Sequence, residues 1–76
     1  MTLLAYFELI RIVATSTSAL KNASTCAESS EEIELLTSRL ETACDALTNA
    51  SCKDAGRSDL REAKRLIREA RRVVLG

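Results

Sequence analysis

The sequence predicts an all-α fold, a three-helix bundle running up, down and up, with residues 1–76 as a single domain. Three observations carry this expectation. There is no proline and there are only two glycines, so little interrupts a helix. Three stretches, at about residues 2–22, 30–50 and 58–75, repeat apolar side chains at steps of three and four. Short connections of small and polar residues separate them, and a serine stands at the start of each later stretch. A domain of this size buries only about 60% of the surface its unfolded chain exposes, so its stability rests on well-formed helices or on association.

The first helix opens on Thr2, whose hydroxyl suits an N-cap. On a wheel at about 100° per residue, Glu8, Arg11, Thr15, Ser18 and Asn22 fall on one polar strip, while Leu3, Tyr6, Phe7, Leu9, Ile10, Ile12, Val13, Ala14 and Leu20 cover about 220°. A surface helix ordinarily buries about 100 to 140°. The excess predicts a second partner, with Leu3, Tyr6, Phe7, Ile10, Val13 and Ala14 as an oligomer interface. No membrane partner is expected, because Glu8 and Arg11 interrupt the run and leave it shorter than a span of about 20 apolar residues. No basic segment precedes the run as in a secretory signal, so a cytoplasmic location is expected.

Ala23 to Ser29 reads as the first connection. Ser29 with Glu32 three residues on forms a capping box, and Glu31, Glu32 and Glu34 put negative charge where the helix dipole favours it. Along the second helix, Ile33, Leu36, Leu40, Ala43, Leu47 and Ala50 make a coiled-coil-like seam, with Cys44 beside it as a small buried hydrophobe. Leu35 and Ala46 lie off the seam. Residues 51–57 form the second connection, where Gly56 is expected to take a left-handed conformation. Ser58 is then the expected cap of the third helix, whose stripe is Leu60, Ala63, Leu66, Ile67, Ala70, Val73 and Val74. Gly76 ends the chain. The segments SALKNAS and DALTNAS recur 27 residues apart, which reads as punctuation shared by two helix ends. Their Asn22 and Asn49 match the glycosylation pattern Asn-Ala-Ser, but helix termination is the expected role.

Several function classes find no support. Cys26, Cys44 and Cys52 are an odd number, and a helix of about 20 residues would hold Cys26 and Cys52 about 30 Å apart, far beyond disulfide reach, so free thiols are expected. There is no His to complete a zinc site or to serve as a base, so no metal, cofactor or small-molecule substrate is expected and the chain is not read as an enzyme. The 11 basic and 11 acidic residues cancel, yet they are segregated. The second helix carries five acids against one base, and the third carries seven bases against three acids. Arg61, Lys64, Arg65, Arg68, Arg71 and Arg72 form a basic arc that could lie along phosphates. A solvated face, helped by Glu62–Arg65 and Glu69–Arg72 pairs and balanced by the acidic second helix, explains the arc without nucleic acid, and no aromatic residue stands in it to stack on bases.

SSEEIELLTSRL and SDLREAKRLIREARRVV resemble de novo designed helical bundles and designed helical-repeat proteins: serine caps followed by acids, Leu, Ile, Val and Ala inside, Arg, Lys and Glu outside. The resemblance is one of style over about residues 29–75, and it implies a symmetric homo-oligomer or a component of a larger assembly. Two expectations follow: a structural, self-assembling protein with the first helix as subunit contact, or a monomeric binding module offering that helix to another protein.

Overall fold

The computed structural model describes residues 1–26 and 29–75. It contains α1 (Leu3–Thr25), α2 (Ser30–Asn49) and α3 (Arg57–Leu75), each packed against the other two in a bundle 40 Å long. The chain runs up, down and up. Ile12 of α1 lies level with Thr42 and Ala43 of α2, and Ala19 lies level with Leu36, so these two helices are antiparallel. Lys21 near the end of α1 pairs with Glu69 near the end of α3, so those two are parallel. Ala27 and Glu28 of the expected first connection, and Gly76, lie outside the described residues.

The helix starts follow local chemistry. Thr2 Oγ1 accepts a hydrogen bond from the Ala5 amide at 3.1 Å, and Ser29 Oγ accepts from the Glu32 amide at 3.3 Å. Among the described residues this is the half of the Ser29 capping box that forms. The third start differs from expectation. Gly56, not Ser58, holds the cap position: its carbonyl accepts from the Leu60 amide at 3.1 Å, and its own amide donates to Asp59 Oδ2 at 3.0 Å. The Asp59 carboxylate three residues on thus makes the reciprocal half of a capping box, accepting from the amide of the cap residue itself. Gly56 is not in the left-handed region, and a Cβ there would meet Asp59 Oδ2 at 3.6 Å, an ordinary contact.

The first helix also outlasts its expected end at Asn22. It continues to Thr25, and the Cys26 amide closes it on the Asn22 carbonyl at 2.8 Å. Ala23, expected in the connection, is buried in the helix. Asn22 therefore does not terminate α1, whereas Asn49 is the last residue of α2. Threonine hydroxyls make the polar tail compatible with a helix by bonding back one turn. Thr15, Thr17, Thr25, Thr37, Thr42 and Thr48 each donate to the carbonyl four residues earlier, at 2.7 to 3.0 Å.

The core joins Tyr6, Val13 and Leu20 of α1, Leu40, Ala43, Cys44 and Leu47 of α2, and Ala63, Leu66 and Ala70 of α3. Thr17 is buried among them, its hydroxyl satisfied by Val13. Ile33, Leu36, Ala50, Ile67, Val73 and Val74 pack at its edges, as the stripes on α2 and α3 predict. Leu60 departs from that prediction and stays exposed, because it sits about 90° round α3 from the centre of the buried set. Leu35 and Ala46, off the seam, are exposed.

Two outcomes test this packing. Leu40→Ala, which empties a fully buried site, lowers stability in urea unfolding by about 2 to 5 kcal/mol, while Leu35→Ala on the exposed side changes it by less than about 0.5 kcal/mol. The second concerns the link from α1 to α3. Lys21, bonded to Glu69, together with nearby Arg65 and Arg72, holds the Glu69 carboxyl below its ordinary 4.5. A depressed carboxylate contributes stability above its unfolded value, and that contribution disappears as pH falls through the lower folded value. Thermal unfolding between about pH 6 and about pH 3 therefore shows a smaller acid loss for Glu69→Gln than for the parent chain.

Candidate functional site

Tyr6 and Val13, expected at a subunit interface, pack inside one chain. They are 3% and 0% exposed, inside the core of one chain. The reason is the geometry of the face: the same wheel sector that made the first helix look doubly partnered holds the residues that close the bundle against Leu40, Leu47 and Leu66. Leu3, Ile10 and Ala14 are half-buried on the flank of that sector, and Ile10 and Ala14 pack against the core. Of the six expected interface residues, Phe7 alone is exposed, at 42%.

Apolar side chains left in water include Leu35 on α2 and Leu60 and Leu75 on α3, each standing apart on its helix, and a set on α1. Leu4 is 72% exposed, one turn before Phe7, and the two share a patch. Sequence reasoning passed over Leu4 because it falls between Glu8 and Arg11 on the wheel. Its spacing of three from Phe7 was the available clue. Ile12, 47% exposed, points to the opposite flank. There it borders a shallow depression of about 390 Å³ with Ser16, Ser38, Arg39, Thr42 and Ala43. The patch at Leu4 and Phe7 and the groove at Ile12 are thus separate surfaces of one helix.

By length and composition alone, α1 is a helix that could cross a membrane. It has 23 residues, and an 18-residue window with a mean hydropathy of 1.4. The expectation that the run is too short does not hold for the helix that forms, since α1 runs on through its serines, threonines and alanines to Thr25. Here Tyr6, Val13, Thr17, Leu20 and Ala23 face α2 and α3, so withdrawing the helix would uncover the apolar stripes of both.

The basic residues of α3 occupy the outer side of the bundle. Arg57, Arg61, Lys64, Arg65, Arg68, Arg71 and Arg72 are all exposed. The expected Glu62–Arg65 pair forms, with Arg65 Nε donating to Glu62 Oε2 at 3.2 Å. Glu69 turns away from Arg72 to Lys21 of α1, with Arg65 Nη1 at 3.7 Å. Among the described residues no ion pair joins α2 to α3, so the acidic second helix does not neutralise the third by direct contact. The two charge sets border a common depression of about 330 Å³ lined by Glu41, Asp45 and Arg71 together with Cys44, Val74 and Leu75.

The cysteines are free thiols in three environments. Cys26 is exposed at the end of α1, Cys52 is half-buried in the second connection, and Cys44 is buried. Burial pushes the Cys44 thiol up from its ordinary value, with Asp45 and Glu41 adding to the effect against Arg71. Burial likewise raises the Tyr6 phenol, aided by nearby Cys52 and Asp59. Among the described residues, no three side chains of the types that bind metals converge.

The chain matches no protein-family model, no curated protein and no solved structure. Its surface chemistry therefore carries the functional reading.

A thiol titration checks the assignment of the three cysteines. With an aromatic disulfide reagent at about pH 8, Cys26 reacts first and Cys52 more slowly, while Cys44 reacts at the rate of unfolding. Rapid reaction of all three in the native protein contradicts the burial of Cys44.

Proposed function

We propose that this is a structural, self-assembling helical protein whose copies meet through the exposed apolar patch of α1. The observation that carries the proposal is that Leu4 and Phe7 remain in water after α1 has closed the core. Full burial of a Leu or Phe side chain stabilises by about 1.5 to 3 kcal/mol, and a chain with so small a core gains in proportion from covering them. Leu3 and Ala14 flank the patch, so the contact keeps part of the interface expected from sequence and loses Tyr6 and Val13 to the core.

A second copy is the partner that the patch fits. Glu8 and Arg11, both exposed, stand one turn apart beside it on the same side of the helix. Two α1 helices meeting antiparallel across a two-fold axis near Phe7 bring the Leu4 and Phe7 patch of one copy against the same patch of the other, the self-complementarity that such an axis requires. The resemblance of the later helices to designed bundles supports a symmetric assembly in the same way. An α1 engaged on one side by its own bundle and on the other by a second copy has no face left for lipid. The free thiols fit the reducing cytoplasm, where we place the protein.

Light scattering coupled to size exclusion tests this. The parent chain at tens of micromolar runs as a dimer or larger species, and Leu4→Glu or Phe7→Glu converts it to a monomer with unchanged helicity by circular dichroism. A monomeric parent chain removes the proposal and leaves a different protein as the partner of α1.

A further inference from the structure

The cations of α3 form a row that the rest of the chain does not use. Arg57, Arg61, Lys64, Arg68 and Arg71 follow one another at steps of four and three, which lines them up along the side of α3 opposite Ala63, Leu66 and Ala70, with Arg72 beside them. At 1.5 Å per residue the charges succeed one another about every 5 Å over a length of about 20 Å. All six are exposed, and among the described residues none of them forms an ion pair; the pairs made by α3 engage Arg65, Glu62 and Glu69.

Two polyanions could cover such a row: the acidic side of α2 in a second copy, or a phosphodiester backbone. Register decides between them. Within the bundle, Glu41 and Asp45 stand beside Arg71 at one end of the row. Lys64, Arg68 and Arg71 border a second depression, whose wall on α2 is the uncharged Thr48. The other acids of α2, Glu31, Glu32 and Glu34, lie at its far end. Glu31, Glu34, Glu41 and Asp45 span as many residues of α2 as the row does of α3, but no acid stands between Glu34 and Glu41, so the chain offers no acidic line of matching spacing.

A nucleic acid does offer one, since a duplex carries one charge per about 1.7 Å of its axis. The surroundings of the row suit phosphate. On its α1 side Lys21, Arg65, Arg68 and Arg72 border a depression of about 260 Å³ together with Glu69, which engages Lys21 and Arg65 and leaves Arg68 and Arg72 unpaired there, and on its α2 side Lys64, Arg68 and Arg71 border one of about 340 Å³ without a carboxylate. Arg68 reaches both. Five of the six residues in the row are arginines, whose planar forks match phosphate oxygens in pairs. No aromatic residue occurs in α3, so nothing there stacks on bases. We infer that the outer face of α3 binds the phosphodiester backbone of nucleic acid without regard to base sequence. The inference is independent of the association through α1, which uses a different face.

Fluorescence anisotropy of a labelled DNA duplex of about 20 base pairs, titrated with the full chain between about 20 and about 200 mM KCl, tests this. With five or six phosphates engaged, the logarithm of the binding constant falls against the logarithm of salt with a slope of about −5. In Arg61→Gln/Arg68→Gln the slope drops to about −3, because each lost phosphate contact removes about 0.9. Arg57→Gln/Lys64→Gln gives the same reduction and stands in if the first pair fails to fold by circular dichroism. The Phe7→Glu chain, with the patch on α1 disabled, keeps the parent slope, so loss of self-association and loss of DNA binding are read separately. No anisotropy change at about 20 mM KCl with about 100 µM protein overturns the inference. An unchanged slope in both double variants overturns it as well. Self-association that salt disrupts and that Arg61→Gln/Arg68→Gln abolishes in the absence of DNA also overturns it, by assigning the row to α2 of a second copy.

Discussion

Val13 and Leu40 are the two large side chains that the bundle removes completely from water, one on each of the first two helices. Around them the core is built of small and medium residues, with Ala43, Cys44, Ala63 and Ala70 bringing backbones close and Tyr6 as its single aromatic. A core of that make-up holds only if α1 presents one continuous face between α2 and α3. Tyr6, Val13, Thr17, Leu20 and Ala23 supply that face over most of the length of the helix. The caps at Thr2, Ser29 and Gly56 fix where each helix begins and so how these side chains meet. The same helix leaves Leu4 and Phe7 in water, so its buried and exposed apolar side chains occupy different sectors of one surface.

The number of helices, their order and most of their inward residues were legible in the sequence, since stripes at steps of three and four have one natural reading and connections without proline leave few alternatives. The division of α1 was less legible. A wheel shows how wide an apolar sector is, but not which part of it faces the bundle, and so Tyr6 and Val13 were assigned outward although they are core. Leu4 shows the converse, an apolar residue lost among polar neighbours that the fold leaves in water. The end of α1 and the cap of α3 were missed for a chemical reason. Threonines that bond to their own helix behave as helix residues despite their preference for turns, and the Asp59 carboxylate reaches back to the Gly56 amide, so α3 is capped two residues before the serine.

Charge segregation takes a different meaning from the fold than from composition. Opposite signs on consecutive helices suggested mutual neutralisation, but the inter-helix ion pair that forms among the described residues joins α1 to α3. Arginine and lysine on α3 are exposed, which keeps the charged heads in water. The outcome is a neutral chain with a strongly polarised surface, in which overall charge and local field point to different partners.

The back-bonded threonines have a consequence for how freely this sequence can drift. Each such hydroxyl is satisfied inside its own helix, and among the described residues no buried side-chain polar atom lacks a partner. The helices therefore meet through shape alone, apart from Lys21 and Glu69 at the rim. An interior without polar keys lets a lineage exchange leucine for isoleucine or methionine, as long as volume is kept, because no orphaned donor is created on either side of the contact. Such a bundle can diverge far in residue identity while keeping its architecture.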